Sequence, residues 1–195
     1  MKQVKESRRV QYTRSVLKSA LAQLMQEKHI SGITVKAICE LADVNRSTFY
    51  LHYSDPYDLL HQVEQEVYGM LKTQLAEVKD DGAHRPVNMQ IMIEILEYAR
   101  ENADLCKALL SENSDFDFKK DIMGLTQLFS FEPDKSYAAS TKEYLTLYCM
   151  SGCVSLIEKW LKDGALEPVE QVAEIVTQCL FHGMLSFAPQ VATKL

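Results

Sequence analysis

The chain is 195 residues long, enough for one large or two modest domains with a real core. A formal charge of −6 argues against a generic polyanion binder, and sparse Gly and Pro with little strand-like alternation exclude a β-rich fold in favour of an all-α one. Five cysteines, at 39, 106, 149, 153 and 179, are odd in number and scattered through helical patterns, which excludes a disulfide framework, and no apolar run approaches the roughly 18 residues of a membrane span.

The charge is unevenly spread. From Met1 to Gln62 nine Lys and Arg face six Asp and Glu, a local +3 that leaves −9 for the rest, and six of those nine cations precede Ser19. This basic leader can supply phosphate contacts or a minor-groove arm, with Arg8, Arg9 and Arg14 placed best because the first helix starts near them. That helix reads from Arg8 to Lys28, with Val10, Thr13, Leu17, Ala20, Leu21 and Leu24 on one stripe, and ends at His29, Ser31 and Gly32. The opening residues show no charged, apolar and small-residue leader of the secretory kind.

Ile33 to Leu60, ITVKAICELADVNRSTFYLHYSDPYDLL, gives two short helical patterns joined by a tight turn and followed by a capped third helix. Thr34 stands at an N-cap, with Ile33 and Ile38 spaced as a hydrophobic staple, and Val35, Ile38, Cys39 and Ala42 recur at helical spacing. Asp43 tolerates the left-handed conformation that closes such a turn. Asn45 then caps a second helix from Arg46 to about Tyr53, with Phe49 and Tyr53 sharing its packed face. Such a helix, about 10 to 12 Å long, fits a major groove about 12 Å wide. Arg46 could donate to guanine, Tyr50 and Leu51 could touch thymine methyls, and Ser47 could bond to several base edges.

ITVKAIC, ADVNRSTFYLHY and the following DLL resemble the TetR family of bacterial transcription regulators, a match that covers about the first sixty residues. The resemblance implies that Arg46, Ser47, Tyr50 and Leu51 approach bases while Thr34, Thr48 and His52 hold phosphates. With Lys36 and Tyr53 these form the expected DNA-contacting set. Two positions depart from the family pattern: its usual turn glycine is Asp43 here, and the lysine that commonly opens the fourth helix is Pro56. Pro after an Asp55 cap is sound helix chemistry, but it removes one phosphate cation.

The helix begun at Pro56 runs to about Lys79, and Asp80 to Pro86 forms a linker. Further helices are expected over Val87 to Glu101, Ala103 to Ser111, Phe116 to Phe129, Ser136 or Ala138 to Asp163, and Pro168 to about Phe187. The whole is expected to be all-α with about nine helices: residues 1–55 a three-helix helix-turn-helix domain, 56–79 a connecting helix, and 80–195 a ligand-binding and dimerisation domain.

EYLTLYCMSGCVSLIEKWLKDG and EPVEQVAEIVTQCL resemble the C-terminal half of one TetR subgroup, which implies a four-helix bundle formed by two subunits. Ser151, Gly152 and Ser155 in mid-helix would let another helix approach, with Leu156, Trp160, Val176 and Leu180 as an apolar seam; an intrachain contact at Gly152 is the competing account. Met92, Leu96, Met123, Leu128, Tyr144, Tyr148 and Cys149 could line an effector pocket, although Met and aromatic stripes are more often plain core.

Other chemistry finds little support. Cys149 and Cys153, at i and i+4, lack a nearby third ligand for a tetrahedral metal site, and Ser111 to Asp117 reads as a polar turn rather than a calcium loop. The expected protein is a cytoplasmic, homodimeric repressor without enzymatic activity or cofactor, bound to double-stranded operator DNA and controlled by an unidentified small molecule, with no membrane partner. A helical adaptor that keeps the scaffold for protein partners is the second reading, favoured by Pro56 and the acidic total.

Overall fold

The computed structural model describes residues 8–76, 89–111, 113, 118–125, 134–138 and 140–180, and the helical backbone of 181–185. Nine α-helices occur among them: α1 (Arg8–Met25), α2 (Val35–Ala42), α3 (Arg46–Phe49), α4 (Pro56–Ala76), α5 (Met89–Glu101), α6 (Ala103–Leu110), α7 (Phe118–Gly124), α8 (Thr141–Lys162) and α9 (Val169–Leu185). A 3-10 turn at Ile30–Gly32 stands between α1 and α2.

The chain forms two compact units. The first takes the described parts of Met1–Val67 and Asn102–Phe118. Here α1 packs on α2 and on α6, and α2 packs on α3. Leu17, Leu21 and Met25 of α1, Ile38, Phe49, Leu59 and Leu60 are almost wholly buried, as the apolar stripes of these short helices require. α6 belongs to this unit although the expected division by sequence order placed it among residues 80–195. Its attachment is polar as well as apolar. Gln26 Nε2 donates to the Asp104 carbonyl at 3.0 Å, and Asn113 Nδ2 donates to the Met25 carbonyl at 2.9 Å while the Asn113 carbonyl accepts from Ile30 N at 2.9 Å. The Met25 carbonyl is thus held from outside, and α1 ends there in a tightened turn rather than running to Lys28.

The second unit takes the described parts of Tyr68–Glu101 and Lys119–Leu195. In it α5 packs on α9 and α8, and α8 packs on α9. Leu96, Leu161, Val169, Ala173 and Val176 form its core. α8 starts at Thr141 rather than at Ser136 or Ala138, because Asp134 Oδ1 accepts from Ser136 N at 2.8 Å and its carbonyl accepts from Tyr137 N at 3.0 Å, a local turn that competes with helix. The reversal into α9 uses Gly164 at φ 89° and Ala165 at φ 52°, and Ala165 N returns to the Trp160 carbonyl at 2.8 Å. The Trp160 indole donates to the Glu167 carbonyl at 3.2 Å, which fixes that corner from the side-chain direction. Glu158 is held below the ordinary carboxylate range: burial pushes it up, but bonds from Lys162 and Lys119 outweigh that.

Candidate nucleic-acid interface

The helix-turn-helix is fixed locally at each joint. Thr34 Oγ1 accepts from Ala37 N at 3.2 Å, so the expected N-cap of α2 is in place, and Ile33 and Ile38 of the expected staple are both buried. Asp43 adopts φ 52° and ψ 46°, the left-handed conformation, and Val44 N bonds back to the Cys39 carbonyl at 3.0 Å. Asn45 Oδ1 then accepts from Ser47 N at 2.9 Å and from Ser47 Oγ at 3.0 Å, which starts α3.

α3 proper ends at Phe49, four residues earlier than its expected end near Tyr53. The backbone keeps winding beyond it: Leu51 N bonds to the Thr48 carbonyl at 3.3 Å, His52 N to the Phe49 carbonyl at 2.9 Å and Tyr53 N to the same carbonyl at 3.0 Å. This mixed tightening is common where a short helix must leave its axis early. The next helix is capped within two residues, since Asp55 Oδ1 accepts from Asp58 N and Asp58 Oδ2 accepts from Ser54 N, each at 2.8 Å. That reciprocal arrangement, led by the Ser54 amide and aided by Gln62, holds the Asp58 carboxyl below its usual range.

The winding has two sides. Inward, Phe49 is fully buried, with ring centroids 5.7 Å from both Tyr50 and Tyr53. Outward, Tyr50 is 59% and Leu51 79% exposed, beside exposed Arg46 and Ser47. Thr48 and His52 are half-buried at the edges. Thr34 and Lys36 are exposed on α2, where Lys36 Nζ lies 3.7 Å from Glu40 in a solvated pair of little strength.

Two expected contacts need correction. Tyr53 belongs to the core at 2% exposure, its ring packed on Phe49 and its hydroxyl accepting from Arg14 Nε at 3.3 Å. Burial is the first cause of its raised pKa. Arg14, which charge counting placed among the leader's phosphate cations, also reaches Glu66 Oε1 at 3.1 Å, and Lys18 pairs with the same carboxylate. These residues join α1, the end of the reader and α4 within one unit. Asn113, the residue that pins the end of α1, also went unrecognised; its only sequence signal was a polar turn.

In the second unit the dimer candidates divide. Gly152 and Ser155 are exposed on α8, Ser151 and Leu156 are half-buried, and a side chain built at Gly152 would meet nothing within 4 Å. Among the described residues, no intrachain neighbour packs against Gly152. Trp160, Val176 and Leu180 are buried inside the protomer, between helices of their own unit, and cannot serve as an outward seam. The pocket candidates do not converge either. Met92, Leu96 and Cys149 are buried and Met123 is half-buried, whereas Tyr144 and Tyr148, at 68% and 77% exposure, point out of the unit; Leu128 lies outside the described residues. A groove of about 380 Å³ between α8 and α9 takes in Tyr148 and Cys149 but not Met92, Leu96, Met123 or Tyr144. Among the described residues no three His, Cys, Asp or Glu are arranged to hold a metal ion, and no helix is long and apolar enough to cross a membrane.

Comparison with known proteins agrees with this geometry. Residues 88–182 match the family described as "Transcriptional regulator C-terminal region", a TetR C-terminal family. The chain is 26% identical over 178 residues to the "Uncharacterized HTH-type transcriptional regulator YxbF" of Bacillus subtilis (strain 168), a match that covers 88% of this chain and 47% of that protein, so the chain spans about half the length of this curated relative. In fold it is similar to a TetR transcriptional regulator from Streptococcus agalactiae 2603V (TM-score 0.57, 24% identity, 89% and 96% of the two chains). It is also similar to the protein of a SmeT–triclosan complex (TM-score 0.62, 12% identity, 92% and 93% of the two chains).

Proposed function

We propose that this chain, whose residues 88–182 match a TetR C-terminal family, is a TetR-type regulator: a homodimeric, sequence-specific DNA-binding repressor in the cytoplasm whose operator affinity a small molecule controls. The observation that carries this reading is the outward side of the reader winding. A turn fixed by Thr34, Asp43 and Asn45 presents Arg46, Ser47, Tyr50 and Leu51 to solvent, and exposing Tyr and Leu on so short an element makes sense when a partner covers them. Arg46 is suited to guanine and Tyr50 and Leu51 to thymine methyls, with Ser47 adaptable to several edges. Thr34, Lys36, Thr48 and His52 flank them as phosphate contacts that position without specifying.

A second copy would pair along α8 and α9. Tyr144, Leu147 and Tyr148 are exposed on α8, Ile175 on α9, and the open surface at Gly152 and Ser155 would let a partner helix come close. Two readers held about 34 to 36 Å apart would read a palindrome. Members of the family bind operator DNA and small-molecule effectors, and the structural relative SmeT is found in complex with the small molecule triclosan. Here the effector would act in the second unit, through α4, whose residues up to Val67 belong to the reader's unit and whose residues from Tyr68 belong to the other. Coupling of roughly 1 to 3 kcal/mol would change operator affinity about 5- to 150-fold.

Selection of bound sequences from random duplex DNA, followed by a salt titration, tests the reading. A palindromic consensus with a steep negative salt slope is expected. Absent or salt-insensitive binding would overturn it in favour of a protein-interaction module.

A further inference from the structure

The amide of Asn45 fixes what its neighbour Ser47 can offer a base. Ser47 N lies 2.9 Å from Asn45 Oδ1, and Ser47 Oγ lies 3.0 Å from the same atom. A main-chain N–H can only donate, so the side-chain atom that faces it is the amide oxygen and not the amide nitrogen. That oxygen can only accept, so the Ser47 hydroxyl is the donor of the second bond. The one hydroxyl hydrogen is thereby committed inside the protein. What Ser47 still presents, exposed beside Arg46, Tyr50 and Leu51, is an oxygen with a free lone pair and no hydrogen to give.

A serine hydroxyl that turns freely matches donors and acceptors alike, and so several base edges. An oxygen that only accepts matches a donor alone. Phosphate oxygens are acceptors, and so are guanine O6 and N7 and thymine O4; the donors of the major groove are the exocyclic amines, adenine N6 and cytosine N4. Every base pair carries one such amine there, so the contact discriminates by strand: at the nucleotide that Ser47 faces, it separates the amino bases A and C from the keto bases G and T. Arg46, next to it, is the complement, a side chain that only donates and is suited to the acceptors of guanine.

Resting on the DNA-reading function above, we propose that Ser47 is a specificity-determining residue that accepts a hydrogen bond from the exocyclic amine of adenine or cytosine. Asn45 is its positioning residue: by holding the Ser47 hydroxyl hydrogen it imposes the polarity of that contact, and it needs no contact with DNA to do so.

Bound duplexes are selected from random DNA with the full parent chain and with Ser47→Ala, Asn45→Ala and Asn45→Asp, each checked for folding by its thermal unfolding midpoint. Each half-site of the parent consensus should hold one position that takes A or C and disfavours G and T by about three- to tenfold. Ser47→Ala should erase the discrimination there and leave the rest of the consensus in place. Asn45→Ala lets the hydroxyl turn, so G and T should gain on A and C although Ser47 itself is unchanged; a cap with a merely structural role would weaken all sequences alike. Asn45→Asp keeps an accepting oxygen and should keep the amino preference, whatever its charge does to overall affinity. If Asn45→Ala does not fold, Ser47→Ala and altered bases decide. Purine in place of adenine, or pyrimidin-2-one in place of cytosine, deletes only the amine at that position. This should weaken the parent about three- to tenfold and Ser47→Ala by less than about twofold. A keto base at the position lost in Ser47→Ala, parent binding indifferent to loss of the amine, a consensus unchanged in Ser47→Ala, or an amino preference that persists in folded Asn45→Ala would each overturn the assignment while leaving the DNA-reading function standing. Absence of any consensus with the parent chain would overturn both.

Discussion

On the reader, Tyr50 and Leu51 stand in solvent because the four-residue α3 and the turn after it are locked from behind by Phe49 and Tyr53 and from both ends by Asn45 and Asp55. On α8, Tyr144, Leu147 and Tyr148 stand in solvent because the opposite side of a 22-residue helix is taken up by Cys149 and Met150. The residue types exposed are alike and the causes differ. Local capping orients the first surface, so single polar residues define it, whereas the second is whatever face α5 and α9 leave uncovered. The first is suited to a fixed geometric task such as reading base edges, and the second to a broad, self-complementary contact.

Removing the support of each surface should separate them most. Phe49→Ala is expected to cost about 3 to 5 kcal/mol by emptying the centre of the reader, measured by denaturant unfolding; a loss below about 1 kcal/mol would mean that the winding is held by its caps alone. The surfaces themselves should respond without unfolding. Tyr50→Ala is expected to weaken binding to the selected consensus by about 1 to 3 kcal/mol and relax its sequence preference, whereas His52→Ala should weaken all sequences alike. Gly152→Leu should leave protomer unfolding within about 1 kcal/mol of the parent, since its side chain meets open space. It should also weaken self-association at least about tenfold by sedimentation; unchanged association would move the pairing face elsewhere.

Caps give smaller effects and belong to the reader alone. Asp55→Ala should cost about 1 kcal/mol. Asp43→Gly should gain about 0.5 kcal/mol, because the φ of 52° is cheaper without a Cβ even after the added chain entropy. The smallest effect is with pH. Asp58 has a carboxyl pKa lowered in the folded state, so its contribution is fully present above the unfolded value near 4 and is lost as pH falls through the folded one. Asp58→Asn should flatten that acid limb in a pH series of unfolding midpoints.

How much could be read in advance follows the same division. Thr34, Asp43, Asn45 and Asp55 act through bonds to residues no more than four or five positions away, so their roles were visible in the order of residues. Tyr53 was assigned to DNA as well as to the packed side, and only its ring contact and its bond to Arg14 decided between them. Trp160, Val176 and Leu180 have the periodicity of a helix seam, but periodicity does not say whether the seam meets a neighbour in the same chain or in another. Tyr144 and Tyr148 were read inward for the same reason.

Composition and short-range chemistry by themselves determined the all-α class, the helix-turn-helix and its caps, because propensity, capping and turn conformation are set by residues close in the chain. Only the tertiary structure decided that α6 joins the reader's unit through Gln26 and Asn113, and that Arg14 faces Glu66 and Tyr53. Those contacts join residues from 39 to 88 positions apart. The energy that selects them lies in burial and pairing between elements, which no local pattern records.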